Sequence, residues 1–212
     1  VTDANKTLIG ILVDRSGSMQ SCKTDMEGGI NTLIEEQAEQ PGDCEVTLAQ
    51  FDTQYEYVWE TRAIAKAEKY KLTPRGGTAL LDAMGKFITE IGEQLADRKA
   101  AKRPGKVVIV VVTDGYENSS KEWTRSDVKD LVTQQKNIYS WEFMFLGANM
   151  DAVAEGGSIG ISPRASMTFD AQNSAAVGAA YAATSNLISG YRGGQSIQYT
   201  EADRANAGGQ SN

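Results

Sequence analysis

Two apolar patterns alternate along the chain. TLIGILV (7–13) and the core of KVVIVVVTDG (106–115) are short, nearly unbroken apolar runs, as expected of strands covered on both faces in a parallel sheet. EVTLAQF (45–51), YSWEFMFLG (139–147) and ASMTF (165–169) read as further strands. Between them the apolar residues recur at spacings of three and four. Met26, Ile30, Leu33 and Ile34 form one such stripe, Leu81, Met84, Ile88, Ile91 and Leu95 a second, and Val128, Leu131 and Val132 a third.

Local signals set the predicted ends of these elements. Thr24 with Glu27, and Thr124 with Asp127, have the spacing of helix-starting capping pairs, and Pro41-Gly42 stops the first helix. The second helix is expected from near Thr78 to the basic stretch RKAAKRPG, and the third runs out near Asn137. Asp52-Thr53-Gln54 turns EVTLAQF back into YEYVWE, a hairpin at the sheet edge. A short helix at Asp151–Ala154 and an Ala-rich helix from about Asp170 to Ser189, small enough to approach a sheet closely, complete the core. Beyond Gly190 the composition turns to Gly, Gln and Ser, with one helical candidate at Thr200–Asn206. Residues 1–189 are thus read as the domain, and 190–212 as a flexible tail or an arm that docks on a partner.

Repeated strand and helix alternation predicts an α/β fold: an open, mostly parallel sheet with helices on both faces, right-handed crossovers and one antiparallel edge strand. Ligands of such sheets bind beyond the carboxyl ends of the strands, where the strand order reverses.

Composition narrows the chemistry. At 212 residues, 41% hydrophobic and 23% charged, one ordinary globular domain is expected. No run reaches the roughly 20 apolar residues of a membrane span, and VTDANKT lacks the pattern of a signal peptide. A net charge of −7 argues against nucleic acid and for partners that are positive or are met through a cation. Cys22 and Cys44 are too few for a disulfide framework and read as buried reduced thiols, which favours a cytoplasmic protein. Histidine is absent, which removes Ser-His-Asp triads, Cys-His pairs and His-containing zinc sites.

Three loops carry the remaining candidates: Asp14-Arg15-Ser16-Gly17-Ser18, Gly76-Gly77-Thr78 and Thr113-Asp114-Gly115. If the strands before the first and third loops are neighbours, Asp14 and Asp114 converge; without a cation their like charges would raise a carboxylate pKa, and a divalent cation resolves the conflict. Carboxylate and hydroxyl oxygens are hard donors suited to Mg²⁺ first, with Mn²⁺ or Ca²⁺ as alternatives. With only two carboxylates, the ion keeps an open position that an external carboxylate can fill.

The DRSGSM run after an apolar strand, followed in order by the Thr and TDG loops, resembles the D-x-S-x-S signature of von Willebrand factor type A (vWA) domains, the fold of integrin I domains. The phrases LVDRSGSM, GGTALLDAMGK, TDGYENSS and WEFMFLGANMDAV are similar to those of compact bacterial and phage proteins consisting of little beyond this domain. The resemblance covers about residues 6–189 and implies a Rossmann-like three-layer α/β/α fold with a metal-ion-dependent adhesion site (MIDAS). Ser16, Ser18 and Thr78 are then expected to supply hydroxyl oxygens, and Asp14 and Asp114 to bind directly or through water.

Several neighbours keep two readings. An isolated D-x-S-x-S can be a capped turn, a reading that Thr78 and Asp114 weaken. Arg15 is most simply a solvated side chain, or else a rim residue that attracts an acidic partner. Tyr116, Glu117 and Asn118 line the rim or only shape their loop. Asp82 faces its helix dipole or orients the site, and Tyr55, Tyr57 and Trp59 pack or form a docking face.

The favoured function is a non-enzymatic binding module whose cation coordinates an Asp or Glu of a protein partner, or of another copy in a homo-oligomer. The alternative is a structural component of a larger assembly such as a phage particle, which would make it virion-associated. A metal-dependent hydrolase comes last: Ser16 stands where an aspartyl-phosphate enzyme wants a second acid, and no phosphate-binding Gly motif is present.

Overall fold

A computed structural model describes residues 1–208. Its strands are β1 (Asp3–Asp14), β2 (Asp43–Phe51), β3 (Tyr55–Ala63), β4 (Pro104–Thr113), β5 (Glu142–Ala148) and β6 (Ser166–Phe169). They form one sheet in the order β3-β2-β1-β4-β5-β6, parallel throughout except for the edge pair β2–β3. The helices are α1 (Lys23–Glu39), α2 (Leu80–Ala96), α3 (Arg125–Tyr139), α4 (Ala152–Ser158), α5 (Ser174–Arg192) and α6 (Glu201–Asn206). α1 packs with α5 on one face, α2 with α3 on the other, giving the expected three layers. No helix of the described residues is long and apolar enough to cross a membrane.

Burial follows the apolar runs. Val107 to Val112 of β4 are buried, as are Leu8, Ile9, Ile11, Leu12 and Val13 of β1. Each such side chain contributes about 1.5–3 kcal/mol relative to exposure, which makes β1 and β4 the rigid centre of the sheet. The chain proceeds from β1 outward through β2 and β3, then returns to the other side of β1 with β4, so the strand order reverses between β1 and β4. Val13 and Val112 are register partners, which leaves Asp14 and Asp114 at the ends of adjacent strands.

Several predicted ends move. The Thr24/Glu27 capping pair does not form: a 3₁₀ turn over Gly17–Ser21 runs almost directly into α1, whose preceding residue, Cys22, makes no side-chain cap. Glu27 Oε2 accepts instead from Leu72 N–H at 2.8 Å. α2 begins at Leu80, leaving Thr78 in the loop before it, whereas Thr124 and Asp127 do form a reciprocal capping box on α3. The Ala-rich α5 starts after Asn173, which caps it, and it packs tightly on α1: a Cβ on Gly29 would lie 2.2 Å from the Tyr181 ring.

The segment after Gly190 is not a free arm as far as Gly208. Ile197, Tyr199 and Ala207 are buried, the Tyr199 and Thr184 hydroxyls are 2.7 Å apart, and Asp170 N–H donates to the Ala207 carbonyl at 2.9 Å. Arg204 donates to the Ser166 and Pro163 carbonyls, covering the β6 edge of the sheet. Residues 209–212 of the expected tail lie outside the described residues.

Candidate metal centre

The site is built from three loops at the β1/β4 switch point. β1 delivers Asp14 fully buried, with Oδ1 accepting from Ser16 N–H at 2.6 Å and Oδ2 from the Thr113 hydroxyl at 2.7 Å. This Asx turn swings the chain back so that the Ser16 and Ser18 hydroxyls stand 3.1 Å apart. Ser18 Oγ then donates to Asp114 Oδ1 at 2.7 Å, bridging the loops of β1 and β4. Thr78 is buried beside them: a Cβ on Gly115 would lie 3.3 Å from Thr78 Oγ1 and 3.8 Å from Ser18 Oγ. All five sequence-predicted residues are thus brought to one place. The loop that carries Thr78 is tied to the first by Gly17 N–H, which donates to the Gly76 carbonyl at 3.0 Å. The left-handed glycine of the site is Gly76 (φ +68°), and Gly17 has no positive φ.

A sequence model of the von Willebrand factor type A domain matches residues 9–183. The chain belongs to the vWA family. Solved structures agree on the fold. Proximal thread matrix protein 1 from the mussel byssus is 14% identical with a TM-score of 0.62, over 89% of this chain and 48% of its own. The pilus adhesin SpaC from Lactobacillus rhamnosus GG is 15% identical with a TM-score of 0.62, over 89% of this chain and 30% of its own. The vWF domain of the type V pili tip protein Mfa5 from Porphyromonas gingivalis is 12% identical with a TM-score of 0.60, over 95% of this chain and 98% of its own. This vWA chain therefore spans less than half of the mussel protein and about a third of the adhesin. One structure of the mussel protein is described as having a zinc-occupied MIDAS motif. No curated protein matches the chain in sequence.

The chemistry of these five side chains would fit a hard cation. They offer two carboxylates and three hydroxyls, all hard oxygen donors; among the described residues no three His, Cys, Asp or Glu side chains gather in a metal-holding group, here or elsewhere. Burial pushes Asp14 up to about 6, against the hydrogen bonds from Thr113 and Ser16, and the Asp114 charge adds to the rise. Asp114 is raised as well, chiefly by burial. Neither shift has a basic side chain among its causes.

Arg15, the natural candidate for such a countercharge, turns away. It is buried rather than solvated, with Nε donating to Asp52 Oδ2 at 2.9 Å and Nη1 to Glu56 Oε1 at 2.6 Å. The expectation of a solvated or rim arginine is corrected by these two acids, which the β2–β3 hairpin places beside it. Tyr55, Tyr57 and Trp59 pack against the core from the same hairpin.

The loop after Asp114 is held from within. Asn118 Oδ1 accepts from Thr78 N–H at 2.9 Å, and Glu117 accepts from the backbone of Leu81, Ser119 and Ser120. Glu117 and Asn118 therefore shape the loop, while Tyr116, 54% exposed, stands out from it. Asp82 takes the backbone N–H groups of Lys121, Glu122 and Trp123; burial opposes its ionisation, but these three donors outweigh that and hold its carboxyl below the usual range. It thus holds the loop while standing in the first turn of α2, where its charge also faces the helix dipole. Asn118 as the partner of the Thr78 backbone had no distinguishing signal in the sequence beyond its nearness to the TDG loop.

Proposed function

We propose that the protein is a non-enzymatic, cation-dependent binding module. Asp14, Ser16, Ser18, Thr78 and Asp114 hold a divalent cation, Mg²⁺ before Mn²⁺ or Ca²⁺, and an Asp or Glu carboxylate of a protein partner completes its coordination. The observation that carries this reading is the convergence of one buried carboxylate, one half-buried carboxylate and three hydroxyls while the adjacent Arg15 is committed elsewhere. A site so charged and so poor in positive side chains favours an ion from solution. Hydroxyl ligands leave the ion electrophilic toward an incoming carboxylate.

The free, buried Cys22 and Cys44 support a cytoplasmic setting. The idea that the segment after Gly190 threads onto a neighbour loses support as far as Gly208, because its apolar residues are already buried in their own domain. Affinity capture with and without EDTA tests the reading. Partners lost on chelation, and lost equally in Asp14→Ala, are expected; a partner retained in full by both would refute it. Mg²⁺-dependent turnover of a phosphoester or peptide panel, abolished in Asp114→Ala, would instead make the protein an enzyme.

A further inference from the structure

We propose that Asp52, through Arg15 and Arg75, is the positioning residue that sets the spacing between the two hydroxyl-bearing loops of the cation site; this rests on the cation reading above.

Ser16 and Ser18 follow β1, whereas Thr78 lies in the loop that precedes α2. No pair of neighbouring strands joins these two loops, because the chain between them runs through β2 and β3. Asp52, in the hairpin turn after β2 and only 1% exposed, joins them instead. Its Oδ2 accepts from Arg15 Nε at 2.9 Å and from Arg75 Nε at 2.6 Å, and its Oδ1 accepts from Gln54 N–H at 2.6 Å. Arg15 immediately precedes Ser16, and Arg75 stands three residues before Thr78.

Backbone contacts run beside this bridge. Arg75 N–H donates to the Arg15 carbonyl at 2.7 Å, and Ala79 N–H, directly after Thr78, donates to the Asp52 carbonyl at 2.9 Å. The left-handed Gly76 lies against the Asp52 side chain, where a Cβ would be 3.3 Å from Asp52 Cβ. One carboxylate therefore grips both loops by charge while its own backbone holds the residue after Thr78. Ligand oxygens must be held to within about 0.5 Å for tight binding, and loss of the groups that orient metal ligands typically weakens affinity by about 10–100-fold.

The test is calorimetric titration of Mn²⁺ and Mg²⁺ into the wild type, Asp14→Ala, Asp52→Asn, Arg75→Gln and Arg75→Lys, each with a thermal melt in EDTA. Arg75 is about half exposed, so its variants keep the fold if Asp52→Asn does not. Asp52→Asn is expected to bind about 10–100-fold more weakly, Arg75→Gln to weaken in the same direction, and Arg75→Lys to recover part of the loss. Arg75→Gln within twofold of wild type, whether or not its melting temperature falls, would overturn the positioning role and leave the cation reading standing. A wild type that binds neither ion, or an Asp14→Ala protein that binds as well as wild type, would overturn the cation reading and this inference with it.

Discussion

Asp14 and Arg15 are neighbours in sequence, yet they enter two electrostatic regions of opposite design. On the Asp14 side, a buried and a half-buried carboxylate lie among hydroxyls, and partial or full burial raises both. On the Arg15 side, Asp52 and Glu56 face Arg15 and Arg75, so each buried charge has a partner; burial resists ionisation of Asp52, but Arg75, the Gln54 amide and Arg15 together hold it below the usual carboxylate range. Buried charge is tolerated where it is paired and is costly where it is not. The paired region balances its charges as folded, although Arg15 Nη2 is buried without a hydrogen-bond partner. The unpaired one has no such countercharge of its own, and under the proposed function an ion supplies it.

The contrast is tested first by removing one charge from each side. Asp14→Ala is expected to abolish measurable Mg²⁺ binding in calorimetry. In EDTA, Asp52→Asn should cost about 1–3 kcal/mol of stability because the buried Arg15 loses one of its two acidic partners, whereas Asp14→Asn should cost little or raise the melting temperature. Equal losses in denaturant titrations of the two Asn variants would erase the distinction between the regions.

Acidity separates them next. Asp14 titrates near 6 in the fold, above its unfolded value, so the folded state holds an extra proton between about pH 4 and 6. Its contribution to metal-free stability is therefore present at low pH and lost as pH rises through about 6. Asp52 and Asp82 are lowered, so their contributions are present above the unfolded value and lost as pH falls through the folded one. Mg²⁺ at about 100 times its Kd should add about 2.7 kcal/mol at pH 7.5 and clearly less at pH 5, as thermal melts would show. A Mg²⁺ increment that does not change with pH would contradict the role given to Asp14.

Smaller effects mark the borders of each region. Asn118→Ala should cost about 1–3 kcal/mol, because the Thr78 N–H loses its acceptor, and should also weaken Mg²⁺ binding in calorimetry. Glu56→Gln should change stability by at most about 1 kcal/mol in the same melts, since Glu56 is half exposed.

Much of this arrangement was legible in the residues. The apolar runs of β1 and β4 marked the central strands, and the polar residues at their ends marked the site, because a buried strand has no packing reason to end in Asp and Ser. Arg15 misled because its acidic partners lie 37 and 41 residues away and meet it only through the β2–β3 hairpin. Thr24 and Glu27 had the spacing of a cap, but the preceding 3₁₀ turn left no free helix start for them to satisfy. The last segment looked polar by composition, which hid the few residues, Ile197, Tyr199 and Ala207, that tie it down. Local patterns thus gave the strands and the ligand loops, while contacts between distant loops decided where the charged side chains point.

The most direct test is a crystal structure from MnCl₂-soaked crystals with anomalous data at the manganese edge. One strong peak is expected, bounded by the Ser16, Ser18 and Thr78 hydroxyls and the Asp14 and Asp114 carboxylates. A structure with those five side chains in place and no peak among them, at millimolar manganese, would rule out a cation site there.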